Sequence, residues 1–275
     1  MSGAGSGEFQ GGFGVVIPAR FASSRLPGKP LRELAGKPMI LHVLDRAAQS
    51  GADFVVVATD DQRIAAVVTA AGGEALLTSP AHASGTDRIA EVVEHKGLPE
   101  SAIVVNVQGD EPLVDPELMR RLAEVLRRHP DVDLATVATP IRAAGELVDP
   151  NVVKVVTDCR SLALYFSRSP IPCVRDWGGG ASMRQSTLPP GVQFLRHIGM
   201  YGYRVAALLR VAREPPAPAE RAELLEQLRA LWLRLRVHVS VVADVPSRSV
   251  DTEEDLARVE HILRRLGRGP SLRPR

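Results

Sequence analysis

The sequence predicts an α/β fold, a mainly parallel or mixed sheet with helices on both faces, and three observations carry that expectation. Short β-branched runs alternate with amphipathic stretches up to about residue 130. The apolar content, 45% of 275 residues, is ample for a buried core. A proline-framed basic loop follows the first strand, at the position where open α/β sheets bind ligands.

In order along the chain, FGVVIPA reads as a strand and PMILHVLDRAAQ as a helix, with Pro38 fitting its first turn. DFVVVAT is a strand and DQRIAAVVTAAGG a helix; Gly51 and Gly72 fit helix stops. EALLT and TDRIAEVVEHK, then IVVNV and PELMRRLAEVLRRH, repeat the strand and helix pair. Beyond residue 130 the rhythm loosens. VDLATVATP, NVVKVVTD and SLALYFS read as strands without intervening helices, and DWGGGASMRQSTLPPG as a long loop. FLRHIGMYGYR is a further strand, AELLEQLRALWLRL one helix, VHVSVVA a strand, and DTEEDLARVEHILRRL the closing helix. The expected organisation is one domain over 13–266, with an insertion near 140–200 as a candidate dimer contact. Flexible tails are expected over 1–12 and 267–275.

Composition narrows the function classes. A formal charge of +2 is near balance, which argues against a broad nucleic-acid-binding surface. Cys159 and Cys173 are the only cysteines, without CxxC spacing or a His/Cys cluster, so no disulfide framework or structural zinc site is expected and a cytoplasmic setting is. MSGAGSGEFQGG lacks the features of a signal peptide, and no run of about 18 apolar residues suggests a membrane span. Of the 34 basic residues 30 are arginine, which singles out the rare Lys29 and Lys154.

The loop IPARFASSRLPGKPL is neither of two familiar phosphate-binding motifs. GGFG precedes the first strand, so it is no dinucleotide fingerprint, and PGKP lacks the spacing and hydroxyl of a Walker A loop. Its Arg20, Arg25 and Lys29 nevertheless suit a triphosphate: arginine supplies planar paired donors, lysine a compact charge, and Pro18, Pro27 and Pro30 stiffen the loop. The alternative is a solvated surface loop. VNVQGDEP ends a strand with Gln108, Gly109, Asp110 and Glu111, hard oxygen donors for a divalent cation or an ordinary turn. SVDTEEDL brings Asp251 to a helix start, as a metal ligand or simply a cap. Ser84, Gly85, Thr86, Asp87 and Arg88 form a polar turn that reads a base edge or caps a helix. Arg168, Arg196, His197, Tyr201, Glu226 and Gln227 lie in FSRSPIP, FLRHIGMYGYR and LLEQLR, where a hydrogen-bonded core histidine and an exposed helix face are the plain alternatives.

Taken in order, IPARFASSRLPGKPL, HVLDRA, VATDD, SGTDRIAEV, VNVQGDEP, LYFSRSPIP, FLRHIGMYGYR, LLEQLR and VDTEEDL closely resemble the 3-deoxy-manno-octulosonate (Kdo) cytidylyltransferases, over about 13–265. The resemblance implies a Rossmann-like nucleotidyltransferase fold with an inserted dimerisation region, in a cytoplasmic Mg-dependent homodimer. It implies transfer of CMP from CTP to the sugar acid with release of pyrophosphate, for lipopolysaccharide assembly. Carried over by position, it implies that Arg20, Arg25 and Lys29 hold the CTP phosphates and act in catalysis, and that Asp110 and Asp251 bind Mg2+. It also implies that Ser84, Gly85, Thr86 and Arg88, with Pro18, Ala19 and Gln108, bind CTP. For the acceptor it points to Gln108, Arg168, His197, Tyr201, Glu226 and Gln227. The chain departs from the family pattern at SRSVDTEEDL, with Arg248, at Arg221, and in the WGGG loop of 176–191. Two alternatives stand beside this reading: the same chemistry on a phosphonate such as phosphonoformate, and a non-catalytic CTP-binding protein.

Overall fold

The computed structural model describes residues 11–22, 26–82, 84–175, 187–243, 245 and 249–266. Arg25, Arg248, residues 176–186 of the WGGG loop, residues 1–10 and the expected tail 267–275 lie outside the described residues. Two compact units divide the chain, the first formed by Met1–Leu98, Asn106–Arg120 and Pro246–Arg275, the second by Pro99–Val105 and Arg121–Val245. The region 140–200 falls inside the second unit.

The first unit starts with β1 (Gly14–Ala19), buried along its whole length. A single 3-10 turn (Lys29–Leu31) and a small hairpin, β2 (Glu33–Leu34) with β3 (Lys37–Pro38), lead to α1 (Met39–Ala48). Pro38 stands one residue before the helix, with its carbonyl and fixed φ at the cap instead of inside the first turn. Met39, Ile40, Val43, Leu44 and Ala47 make the buried stripe of α1, at the spacing of one helix face. β4 (Phe54–Thr59) pairs parallel with β1, from Gly14↔Phe54 to Ala19↔Thr59, and β5 (Glu74–Leu77) pairs parallel with β4. Between them runs α2 (Gln62–Ala70), capped by Asp61, which accepts from Arg63 N at 2.8 Å, and stopped at Gly72, φ 80°. α3 (Gly85–His95) follows.

β6 (Ile103–Asn106) and α4 (Pro116–Arg128) run across the unit boundaries in sequence. In the second unit, β7 (Leu134–Pro140), α5 (Ala144–Val148), β8 (Lys154–Thr157), β9 (Ala163–Ser167), β10 (Leu195–Arg204), α6 (Val205–Arg213), α7 (Pro218–Glu223), α8 (Gln227–Trp232) and β11 (Val237–Val241) follow one another. β11 pairs parallel and β10 antiparallel with β7, and β8 pairs antiparallel with both β10 and β9. The register of β10 against β7 shifts between Ile198 and Tyr201, a bulge that leaves Gly199 and Met200 extra. The last element, α9 (Glu253–Leu266), returns to the first unit.

Three expectations are corrected here. α5 interrupts the strands expected after residue 130, and α6 was hidden behind the FLRHIGMYGYR strand. The single helix expected over AELLEQLRALWLRL is two short ones, α7 and α8, broken where Leu224 takes a left-handed conformation, φ 53°. Arg229 explains the break: its guanidinium makes two bonds to the buried Glu220 carboxylate, at 2.8 and 2.5 Å, and donates to the carbonyls of Val211 and Glu214. A continuous helix would leave that buried carboxylate and guanidinium without each other, and parting a buried pair is costly. Lys154, singled out with Lys29 among the four lysines, is fully buried, and its ammonium donates to the carbonyls of Asp149, Val152 and Arg168. Cys159 and Cys173 are exposed free thiols, and among the described residues no helix is long and apolar enough to cross a membrane.

Candidate active site

One apolar cluster of the first unit assembles the site. Leu26, Leu34, Met39, Leu113, Val250, Leu256 and Val259 pack together, and Leu26, Leu113 and Val250 stand within three residues of Lys29, Asp110 and Asp251. Each such side chain contributes about 1.5–3 kcal/mol on burial, so the three polar residues are held by the core beneath them. A backbone bond from Val250 N to Asp110 O, 2.9 Å, ties the two acidic segments directly.

On this base, Lys29 Nζ donates to Asp110 Oδ2 at 2.5 Å and to Asp251 Oδ1 at 2.9 Å. The lysine is buried while both carboxylates remain partly open. A buried ammonium needs such partners, since an unpaired one loses its hydration without return. The cap of α9 is not Asp251: Asp255 N donates to Thr252 Oγ1 at 3.2 Å, and Asp255 Oδ2 accepts from Thr252 N and from Asp251 N. The Asp251 side chain turns instead to Lys29 and to Ser249 Oγ, 3.2 Å away. Glu111 is buried, and its carboxyl is pushed up to about 8 by burial first and by Asp110 second, with Lys29 opposing. Glu111 is therefore neutral at pH 7, and the two carboxylates facing Lys29 are not joined by a third negative charge.

The end of β1 lies against this centre. Gly109 N donates to Pro18 O at 3.3 Å, and a Cβ on Gly109 would stand 3.0 Å from that oxygen and 3.2 Å from Ala19 Cβ. Gly85, at the start of α3, also approaches Pro18, with room for ordinary contact only. Arg20, next in the chain, is exposed; Gln108 is half-buried on the turn before Gly109. The structure thus brings Pro18, Ala19, Lys29, Gly85, Gln108, Asp110 and Asp251 together.

The Ser84–Arg88 turn has a different internal logic from a free recognition loop. Ser84 Oγ accepts from Asp87 N and Asp87 Oδ2 accepts from Ser84 N, each at 3.1 Å, a complete capping box. Thr86 and Arg88 are buried. The Arg88 guanidinium points to Thr78 Oγ1 and to Asp60 Oδ2, the latter at 2.9 Å. Asp60 went unnoticed among the candidate residues; its signal was the acidic pair of VATDD at the carboxyl end of a strand.

The remaining candidates belong to the second unit. Thr136 fills the β10 bulge: its hydroxyl lies 2.8 Å from Met200 O and 3.2 Å from Ile198 O, and His197 Nε2 lies 2.9 Å from the same oxygen. With its one proton directed to a carbonyl, Thr136 Oγ1 accepts from His197, which makes Nε2–H the tautomer. The imidazole meets Phe166 edge-on at 5.0 Å and Tyr201 at 5.3 Å, and burial pushes its pKa down to about 3. The Tyr201 hydroxyl is buried, without a hydrogen bond of normal geometry among the described residues; burial raises its pKa, and Tyr203 and Glu226 add to the effect. Gln227 opens α8 and Glu226 stands at its cap. Arg168 is engaged locally: Nε donates to Glu223 O at 2.7 Å and Nη1 to Pro150 O at 2.8 Å, while its backbone N donates to the Glu223 carboxylate. Its guanidinium thus holds two loop ends together.

The Asp110 and Asp251 oxygens fit a hard cation. Both converge on one position of positive charge, the Lys29 ammonium, and oxygen donors of this kind bind Mg2+ through one or two carboxylates with phosphate oxygens and water completing the shell. Among the described residues no cluster of three or more His, Cys, Asp or Glu side chains forms a metal cage.

Comparison with known proteins supplies the family. A cytidylyltransferase family model matches residues 15–237. The chain is 52% identical over 256 residues to a 3-deoxy-manno-octulosonate cytidylyltransferase of Marinobacter nauticus, covering 93% of this chain and 98% of that one. It is 50% identical to one of Yersinia enterocolitica, with 91% and 98% covered. Among solved structures it is similar to a CMP:2-keto-3-deoxy-manno-octonic acid synthetase complexed with CTP, at TM-score 0.83 and 40% identity over 92% of this chain and 99% of the other. The chain belongs to the cytidylyltransferase family, among the 3-deoxy-manno-octulosonate cytidylyltransferases.

Proposed function

We propose that the protein transfers CMP from CTP to 3-deoxy-manno-octulosonate, forming CMP-Kdo and releasing pyrophosphate. The observation that carries this reading is the convergence of Asp110 and Asp251 on Lys29 at the carboxyl end of β1, in a chain about half identical to relatives of that name. In this reading Lys29 and the exposed Arg20 neutralise the triphosphate, with Arg25 assigned the same part by resemblance. Asp110 and Asp251 hold Mg2+, which supplies charge stabilisation at the phosphates when bound. The turn of Gln108 and Gly109, with Pro18, Ala19 and the start of α3, forms the nucleotide's floor. The acceptor hydroxyl attacks the α-phosphorus in line; the new O–P bond forms as the bond to the β-phosphate oxygen breaks, and pyrophosphate leaves with those electrons. The acceptor proton passes to solvent. Positioning and electrostatics do the work, and no covalent enzyme intermediate is needed.

His197 and Tyr201, with Glu226 and Gln227, are proposed for the acceptor. At neutral pH His197 is uncharged, and with its Nε2–H given to Thr136 it offers Nδ1 as an acceptor, suited to a substrate hydroxyl and not to pairing as an imidazolium. The relatives' names favour Kdo over a phosphonate acceptor, and the intact acidic and basic set favours catalysis over simple CTP binding. A cytoplasmic homodimer in lipopolysaccharide synthesis is part of the proposal. Leu164 and Tyr165 on β9, and Leu224 and Trp232 in the α7 and α8 segment, are exposed apolar side chains of the second unit suited to a contact with a second copy.

Pyrophosphate release from CTP with Mg2+, scanned over Kdo, 8-amino-Kdo, sialic acid and phosphonoformate, tests the reading. Release with Kdo that stops on chelation of the metal is expected. Release with phosphonoformate alone, or with no acceptor, overturns it. Light scattering of the wild type and of Trp232→Glu checks the dimer.

A further inference from the structure

We infer that Arg63 is a positioning residue for the nucleotide: through the ring of Phe21 it fixes the segment that carries Arg20 and Lys29. This rests on the CTP reading above. Phe21 directly follows Arg20, and its carbonyl accepts from Gly28 N at 3.3 Å, so the two ends of the basic loop close on each other just before Lys29. Gly28 takes φ 65°, and a Cβ there would meet the Phe21 ring at 3.2 Å; the glycine is needed both for the left-handed turn and for the ring's close approach.

On the other side, the Arg63 guanidinium stands 3.6 Å from the centre of the Phe21 ring. At this distance the cation sits on the electron-rich face. Arg63 is not free to swing: Nε and Nη2 grip both oxygens of Asp61, at 3.0 and 2.6 Å. Asp61 in turn caps α2 through Arg63's own backbone N. The neighbouring Asp60 reaches Phe21 N at 3.5 Å and is itself held by the buried Arg88. Ring, carbonyl and amide of Phe21 are thus each engaged, the amide by the turn between β4 and α2 and the ring by the first turn of α2.

The clamp is an exposed one, so its loss loosens the loop without opening the core. Replacing Arg63 removes the stacked charge but leaves the backbone cap on Asp61. The phosphates, which meet Arg20 and Lys29, should sense the change, and the acceptor should not. A salt bridge that served only folding would move neither Michaelis constant.

The experiment is steady-state pyrophosphate release by wild type, Arg63→Ala, Arg63→Lys, Phe21→Leu and the double variant Arg63→Ala with Phe21→Leu. We expect Arg63→Ala to raise KM for CTP by about two- to fivefold, with KM for the acceptor and the thermal midpoint unchanged. Arg63→Lys should recover part of the loss, since an ammonium still faces the ring. Phe21→Leu should match Arg63→Ala, and the double variant should be no worse than either. An unchanged KM for CTP in Arg63→Ala, or multiplicative effects in the double variant, overturns the clamp. Absence of CTP-dependent turnover in the wild type sinks the underlying reading instead; CTP binding by calorimetry to wild type and Arg63→Ala then still decides the clamp, with equal affinities overturning it.

Discussion

Acidification should destabilise this protein through His197, and the size of the effect follows from its surroundings. The folded-state pKa is about 3, depressed by burial against Phe166 and Tyr201, while an unfolded histidine titrates near its ordinary 6.5. Because the folded value is depressed, the unfolded chain binds the proton first. The contribution is fully present above pH 6.5 and is lost as pH falls from 6.5 toward 3. The full difference, about 3.5 units at about 1.36 kcal/mol each, sets an upper bound of about 5 kcal/mol. The imidazole is enclosed, yet the residue as a whole keeps some accessible surface, so a small rotation can hydrate an imidazolium and lower that bound. At pH 5 the loss relative to pH 7.5 is about 2 kcal/mol on the same arithmetic. Urea denaturation of wild type and His197→Gln at pH 5, 6 and 7.5 measures it, since glutamine keeps a donor for Thr136 but does not titrate. The wild type should lose about 2 kcal/mol more than the variant between pH 7.5 and 5. Parallel stability curves for the two proteins would refute the reasoning.

Other perturbations separate the site from the scaffold. Lys29→Ala and Asp110→Asn should each lower turnover by about a hundredfold or more, while circular dichroism and the thermal midpoint change little, because both carboxylates keep access to water. In Gly109→Ala the new methyl stands 3.0 Å from Pro18 O; the turn must shift, at a cost of about 1–3 kcal/mol, and kcat/KM for CTP should fall with it. Arg229→Met takes both guanidinium bonds from the buried Glu220 carboxylate, which keeps the Ala217 N–H, and should cost about 3–5 kcal/mol in urea denaturation. Adding Glu220→Leu should restore much of that loss.

Much of the first unit was legible residue by residue. Buried parallel strands require continuous apolar β-branched runs, and FGVVIPA and DFVVVAT have them, while EALLT, the less buried β5, is marked by its apolar residues alone; the helices show the spacing of one apolar face. Capping chemistry is equally local, so Asp61 and Ser84 announce the helices they start. The second unit was less legible because its decisive interactions are not periodic. The break at Leu224 and the bulge at Gly199 and Met200 answer to Arg229 and Thr136, residues that sequence spacing does not connect to them.

The same division applies to function. Residue type and position after β1 pointed to a phosphate-binding loop, and the ordered motifs pointed to the family, because both are properties of the chain read in one dimension. Lys29 and Asp110 are 81 positions apart and Lys29 and Asp251 are 222 apart; no local rule joins them. Tertiary structure decided that Asp251 faces Lys29 while Thr252 caps the helix, that Arg88 turns inward to Asp60, and that Arg63 reaches Phe21. The reason is that strand and helix patterns depend on neighbours a few residues away, whereas the convergence of charges depends on how the cluster around Leu26, Leu113 and Val250 closes.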